Sequence, residues 1–326
     1  MIQEPPWDVI RLHPIPTPTV FPVGPANVYF YPGPPAILFD AGTNTEEAFQ
    51  ALCDGLTRLG VNLADIENVV LTHHHLDHVG LVGRIKASSG ARVFAHESVP
   101  AQLPFLFNAR QIQQQIRKVL LELGAPVSNV DALVEERMKY HWLYEPPQID
   151  EVVQDGSTIG PFEVHFRPGH SPTDTVFVHA GQRWAVTGDH LIHKVTPSPL
   201  LRRYDDNGQR EKSLVQYYES LMRTRELSIT GCFAGHGSPF TDHRHAVDTT
   251  LQHIQKRCAR LLKLLSPQGL TPYEMTSHLF PRMADVMLYY CLSTTTGHLE
   301  LLETQGLVFT ERRDGVTRYF PVSPSA

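Results

Sequence analysis

The chain is short of cysteine, of excess positive charge and of long apolar runs. Its four cysteines, Cys53, Cys232, Cys258 and Cys291, form no C-x-x-C pair. Their spacings fit no zinc ribbon, so reduced and mostly buried thiols are expected, with the cytoplasm as the matching compartment. Residues Met1 to Asp8 lack the basic and apolar stretches of a secretory leader. No apolar run approaches the roughly 20 residues that span a bilayer. Lys and Arg number 28 against 34 Asp and Glu, a net charge of −6, which argues against a general nucleic-acid-binding surface. At 326 residues, 41% of them hydrophobic and 19% charged, the chain suits a globular protein with one large and one small domain.

What it does have is a concentration of metal-binding side chains. Val69-Val70-Leu71 leads into Thr72-His73-His74-His75-Leu76-Asp77-His78, and a helix is predicted to start at Val79. The cluster therefore lies on a turn at the C-terminal end of a strand, where open α/β sheets place their sites. His73 and His75 alternate, so both rings can point one way, while His74 points the other. Asp77 and His78 follow at the turn into the helix.

Strands and helices alternate on either side, which predicts an α/β fold. Val9–Leu12 is expected as a strand, Pro14–Pro22 as a proline-rich loop, and Ala36–Asp40 as an apolar strand. The helix 45–59 should be capped by Thr45 or Asn44. Residues 98–148 break the rhythm with two helices, 109–123 and 130–141, the second capped by Ser128 or Asn129. They read equally as an insertion over the site or as an outer packing layer. Phe105, Phe107, Tyr140, Trp142 and Tyr144 flank them and are candidates for an apolar pocket, or for ordinary core. Strands return after Glu151, with Pro168-Gly169-His170, Gly188-Asp189 and Gly235-His236-Gly237 at strand ends. Beyond residue 244 come a helix 246–265, a capping box Thr271-Pro272-Tyr273-Glu274 opening helix 272–279, a helix within 284–305, and a hairpin around Asp314-Gly315.

The motif H-x-H-x-D-H at 73–78, G-H at 169–170, G-D at 188–189 and G-H-G at 235–237 resemble, in the same order, those of the metallo-β-lactamase superfamily. The resemblance implies a four-layer αββα sandwich over residues 1–244, carrying the helical insertion 98–148. It implies His73, His75 and His170 as ligands of one metal, Asp77, His78 and His236 as ligands of a second, and Asp189 between them. Asp40 is implied as a supporting group behind the ligands, although its position fits a helix-entry residue equally well. Two Zn²⁺ suit nitrogen and oxygen ligands without thiolate, and Fe or Mn stay open. His75 stands where the diiron flavoprotein branch has Glu, which speaks against that branch. One departure concerns relatives with G-H-[ST]-P-G, where this chain reads Gly169-His170-Ser171-Pro172-Thr173-Asp174. It is expected to alter the loop beside the first metal without removing a ligand.

Residues 245–326 resemble the winged-helix tail of the lactamase-β-2-like subgroup. The activity expected is metal-dependent hydrolysis of a small carboxyl ester, thioester or lactone. A hydroxide held between the metals would attack, with Asp77 and Asp189 as catalytic groups. The alternative is a phosphodiesterase acting on single-stranded RNA. Against RNA, residues 246–326 carry eight Lys and Arg and seven Asp and Glu, which is no basic stripe. A small acyl substrate, no membrane partner, and a tail that packs on the catalytic domain or forms a dimer interface complete the expectation.

Overall fold

A computed structural model describes residues 10–106, 108–205, 207–282 and 287–322. In chain order the elements begin β1 (His13–Thr17), β2 (Ala26–Tyr31), β3 (Ile37–Phe39), α1 (Glu46–Arg58), β4 (Asn68–Val70), α2 (Leu76–Val79), α3 (Val82–Ser89) and β5 (Arg92–His96). Then come α4 (Ser98–Leu106), α5 (Ala109–Glu122), α6 (Val127–Met138), β6 (Glu151–Val153), β7 (Thr158–Ile159), β8 (Phe162–Phe166), β9 (Thr175–His179) and β10 (Trp184–Gly188). The chain ends with α7 (Ser213–Arg225), β11 (Gly231–Ala234), α8 (His243–Leu264), α9 (Pro272–Leu279), α10 (Leu288–Thr304), β12 (Val308–Arg313) and β13 (Val316–Pro321). Among the described residues, no helix is long and apolar enough to cross a membrane.

Two compact units divide the chain: residues 1–107, 142–197 and 220–247 form one, and residues 108–141, 198–219 and 248–326 the other. The first unit holds two sheets, ordered β1-β2-β3-β4-β5-β6 and β11-β10-β9-β8-β7. Alternation along each strand sorts its side chains. Tyr29, Phe39, Val70 and Phe94 of the first sheet meet Phe162, Phe177, Trp184 and Phe233 of the second. The intervening residues Val28, Leu38, Val69 and Val93 turn the opposite way, onto Leu52 and Leu56 of α1 and Ile85 of α3. On the outer face of the second sheet, Val176, Val178 and Ala185 pack under Leu227 and Ile229. Thr45 caps α1 by accepting the Ala48 N–H at 3.2 Å, as its sequence predicts.

The first strand departs from expectation. Ile10 to Leu12 are not strand, Val9 lies outside the described residues, and β1 runs instead through the proline-rich His13–Thr17. It is the edge of its sheet, where proline is tolerated. Pro16 faces Asn27, whose own N–H turns away to Gly235 O at 2.7 Å, so the ladder asks no hydrogen of that proline. Pro14, two residues earlier, shares the same orientation.

In the second unit α5 and α6 share a core with the C-terminal helices. Ile116, Leu120, Val130 and Leu133 pack with Leu201, Leu288 and Leu292. The contacts therefore do not divide at residue 244, because the apolar faces of 109–138 are covered by residues far along the chain. α6 begins at Val127 after Pro126, with no side-chain cap, three residues before the predicted start. The capping box at Thr271 and Glu274 is formed, with bonds of 3.1 and 2.7 Å. The Asp314-Gly315 hairpin turn has φ of 51° and 81°. Of the flanking aromatics, Phe107 lies outside the described residues, and Trp142 is 74% exposed, so it is not core.

Candidate metal centre

The histidine turn follows β4, and α2 begins at Leu76, so Asp77 and His78 sit in a first helical turn while His75 is its N-cap. Asp189 follows β10 and His236 follows β11, two parallel neighbours that end side by side. His170 lies in the loop between β8 and β9. These strand ends gather all seven predicted residues. Candidate ligand atoms lie within 4.8 Å of one another in three overlapping groups: His73, His75 and His170; His73, His78 and Asp189; Asp77, His78 and His236. His75 Nδ1 and His170 Nε2 are 3.0 Å apart. Asp189 faces three rings, at 3.7 Å from His78 Nε2 and 3.5 Å from both His170 Nε2 and His236 Nε2. His236 Nε2 is 3.4 Å from Asp77.

Hydrogen bonds behind the rings fix their tautomers. Asp40 accepts from Thr72 N, Thr72 Oγ1 and His78 Nδ1, each at 2.8 Å. Its carboxylate takes the Thr72 hydroxyl proton, so that hydroxyl can only accept from His73 Nδ1, 3.0 Å away. A carbonyl also only accepts, so His236 Nδ1–H donates to Pro25 O at 2.9 Å. His73, His78 and His236 therefore all present Nε2 to the centre. Those three nitrogens, together with His170 Nδ1 and Asp189 Oδ1, are buried without a hydrogen-bond partner. Buried polar atoms normally have one. His170 turns Nε2 inward, so four of these orphans, on His73, His78, His236 and Asp189, face the centre, the pattern that divalent cations would complete.

The electrostatics agree. Burial, reinforced by the surrounding rings of His78, His75, His170 and His74, pulls His73 well below its usual range and keeps it neutral, as a ligand must be. Burial also disfavours charge on His78 and His236. On His78 the carboxylates of Asp189, Asp40 and Asp77 outweigh it and raise the pKa to about 9. On His236 the nearby carboxylates of Asp189 and Asp77, 3.5 and 3.4 Å from Nε2, do so, raising it to about 11. Asp189 goes the opposite way: burial pushes it up, and the charges of His78, His236 and His170 pull it well below the carboxylate range. Protons on these rings occupy the place where the carboxylates draw positive charge.

Several supporting residues carried no motif. A Cβ on Gly235 would stand 2.2 Å from Asp189 Oδ1 and 2.8 Å from His78 Cε1, so only glycine admits the carboxylate there. Gly188, at φ +49°, meets Thr72 in the same way, at 2.6 Å. Asn27 Nδ2 holds Ala234 O and Gly237 O at 3.0 and 2.8 Å, and fixes both sides of His236. Asp40 has φ +62°, a left-handed conformation uncommon for a non-glycine residue, so its supporting role comes with local strain. His74 joins none of the three groups, and its ring bonds Thr173 instead. The four cysteines are free, and Cys232, buried beside the His236 segment, is in none of the groups.

A family model described as the metallo-beta-lactamase superfamily matches residues 21–248. The probable metallo-hydrolase YqjP of Bacillus subtilis is 32% identical over 96% of this chain and 97% of its own. The hydroxyacylglutathione hydrolase GloC of Haemophilus influenzae is 30% identical over 62% of this chain and 80% of its own. The crystal structure of a metallo-beta-lactamase family protein from Thermus thermophilus superposes with a TM-score of 0.81, at 30% identity, over 96% of this chain and 99% of its own. With its paired sheets and its histidine-bearing strand ends, the chain belongs to the metallo-β-lactamase superfamily.

Proposed function

We propose that this protein is a metal-dependent hydrolase of small carboxyl derivatives, with an ester, thioester or lactone as substrate. The observation that carries the reading is the set of buried, unpartnered ligand atoms on His73, His78, Asp189 and His236, in groups linked through His73 and His78. In this reading His73, His75 and His170 hold one divalent cation, Asp77, His78 and His236 hold a second, and Asp189 reaches both. Bound there, two such cations supply Lewis acidity and lower the pKa of water. Zn²⁺ is the ion we favour, since the donors are imidazole and carboxylate.

The protein groups have separate tasks. Asp40 and Thr72 hold the rings of His78 and His73 in the Nε2-presenting tautomer. Asp77, facing His236, orients the attacking water and takes its proton. Asp189 anchors the centre with one oxygen among the rings. The similarity to a hydroxyacylglutathione hydrolase supports an acyl substrate, because an acyl-glutathione is a thioester. The near balance of charge in residues 246–326 supports a C-terminal winged-helix-like region that packs against protein and does not read nucleic acid.

The test is a panel of acyl thioesters, esters and lactones run beside a single-stranded RNA, on zinc-loaded protein with Asp189→Ala as control. Acyl hydrolysis lost in the control is the expected result. RNA cleavage lost in the control, with no acyl hydrolysis, would replace this reading by the phosphodiesterase one. Elemental analysis of the purified protein checks for two metal ions per chain.

A further inference from the structure

Two features of the sequence have no part in the metal centre: His74, which lies between two candidate ligands, and Thr173-Asp174, which departs from the G-H-[ST]-P-G pattern. The structure brings them together. Asp174 accepts from Ser171 N at 2.8 Å and from Ser171 Oγ at 2.6 Å, closing the turn after His170. A carboxylate only accepts, so the Ser171 hydroxyl proton is committed to Asp174, and Ser171 Oγ in turn accepts from Thr173 N at 3.1 Å. Thr173 Oγ1 then crosses to the histidine turn. It accepts the His74 backbone N–H at 3.1 Å and lies 2.8 Å from His74 Nδ1. Two further bonds flank the crossing, Thr175 N to Thr72 O and Arg167 N to Asp174 O, both 2.8 Å. Ser171, Thr173 and Asp174 are all buried.

We propose that Thr173, held by Ser171 and Asp174 and gripping His74, is a positioning residue for the first cation's ligands. The inference rests on the reading that His73, His75 and His170 hold that cation. The histidine turn belongs to one sheet and the His170 loop to the other. One hydroxyl joins them at the residue between His73 and His75, so the spacing of the three rings is set before any cation arrives. Glycine at 173 has no atom that could make this bond. The second set does not use the clip: His78 is held by Asp40, and His236 by Pro25 O.

Full-length protein freed of metal by chelation is titrated with Zn²⁺ against a chromophoric chelator. Wild type should show two binding steps, and His170→Ala identifies the step that belongs to the first set. Thr173→Val keeps the shape and removes the hydroxyl. It should weaken that step about 10- to 100-fold, the effect usual for groups that orient ligands, and leave the other step in place. Thr173→Ser should restore it. If the valine variant does not fold, Ser171→Ala and Thr173→Ser are read instead, and a selective loss in the alanine variant is expected. A lowered melting temperature of the metal-free protein with both steps unchanged, or with both weakened alike, would show a purely structural role and overturn the proposal. A wild type that takes up no zinc would instead remove the two-cation reading on which it rests.

Discussion

The molecule buries acidic side chains in two places and treats them differently. At the strand ends, Asp189 is surrounded by the imidazoles of His78, His236 and His170, groups whose positive charge is conditional. In the helical unit, buried Glu300 pairs with the guanidinium of Arg210, whose charge is permanent, and Glu303 bonds Lys212 at 2.7 Å. Burial raises the Glu300 pKa, and Arg210 works against that rise. The second arrangement brings its own counter-charge. The first relies on imidazoles that can be neutral, so its carboxylates favour a cation from outside. A buried acid with a fixed cation beside it is structural, whereas one ringed by neutral-capable histidines is a binding site.

The comparison can be broken at either end. Removing a ligand has the largest expected effect: His170→Ala or Asp189→Ala should cost more than about 100-fold in metal affinity, beyond the range usual for supporting groups, and abolish hydrolysis. Metal content and turnover check it, and an active, verified metal-free variant would sink the mechanism. On the other side, Arg210→Met strands a buried carboxylate and should lower unfolding stability by about 3–5 kcal/mol, read by urea denaturation, with metal stoichiometry unchanged. Adding Glu300→Leu should recover most of that loss.

A pH effect of similar kind comes from His298, which bonds Thr294 O at 2.6 Å inside α10. Burial pulls its pKa down to about 4. The unfolded chain takes up this proton near pH 6.5 and the folded one only near 4, so stability is full above pH 6.5 and falls as pH drops through that window. The loss is about 3 kcal/mol, and His298→Gln should flatten that part of the pH profile. Smallest is Asp40→Asn, which leaves the shape but unsettles the tautomers of His73 and His78. A 10- to 100-fold drop in metal affinity is expected, and an unchanged isotherm would remove Asp40 from the supporting set.

The centre was more legible in the sequence than its supports were. Each of the seven candidate ligands sits in a short motif at a strand end, and the order of strands suffices to gather them. Asp40 was ambiguous because a strand-end acid also serves as a helix entry, and only the 2.8 Å contact with His78 separates the two. Thr72, Thr173 and Pro25 act through a hydroxyl or a carbonyl, groups every chain has in plenty. Gly235 is set apart only by what a Cβ there would strike. The helices 109–123 and 130–141 are legible as helices. What covers their apolar faces is a question of distant packing, and residues 288–292 answer it only in three dimensions. β1 is hidden in the sequence because proline density usually marks a loop, and an edge strand is the exception.

That edge strand has a bearing on how the protein behaves in crowded solution. The rim of an open sheet offers a row of amide hydrogens to any passing extended chain, and pairing there begins aggregation. On β1, Pro14 and Pro16 take up outward-facing positions of that row. They have no amide hydrogen to offer, so the rim is a poor template for another chain. Replacing either proline by valine would leave the centre untouched while giving the molecule a surface on which copies of itself could grow.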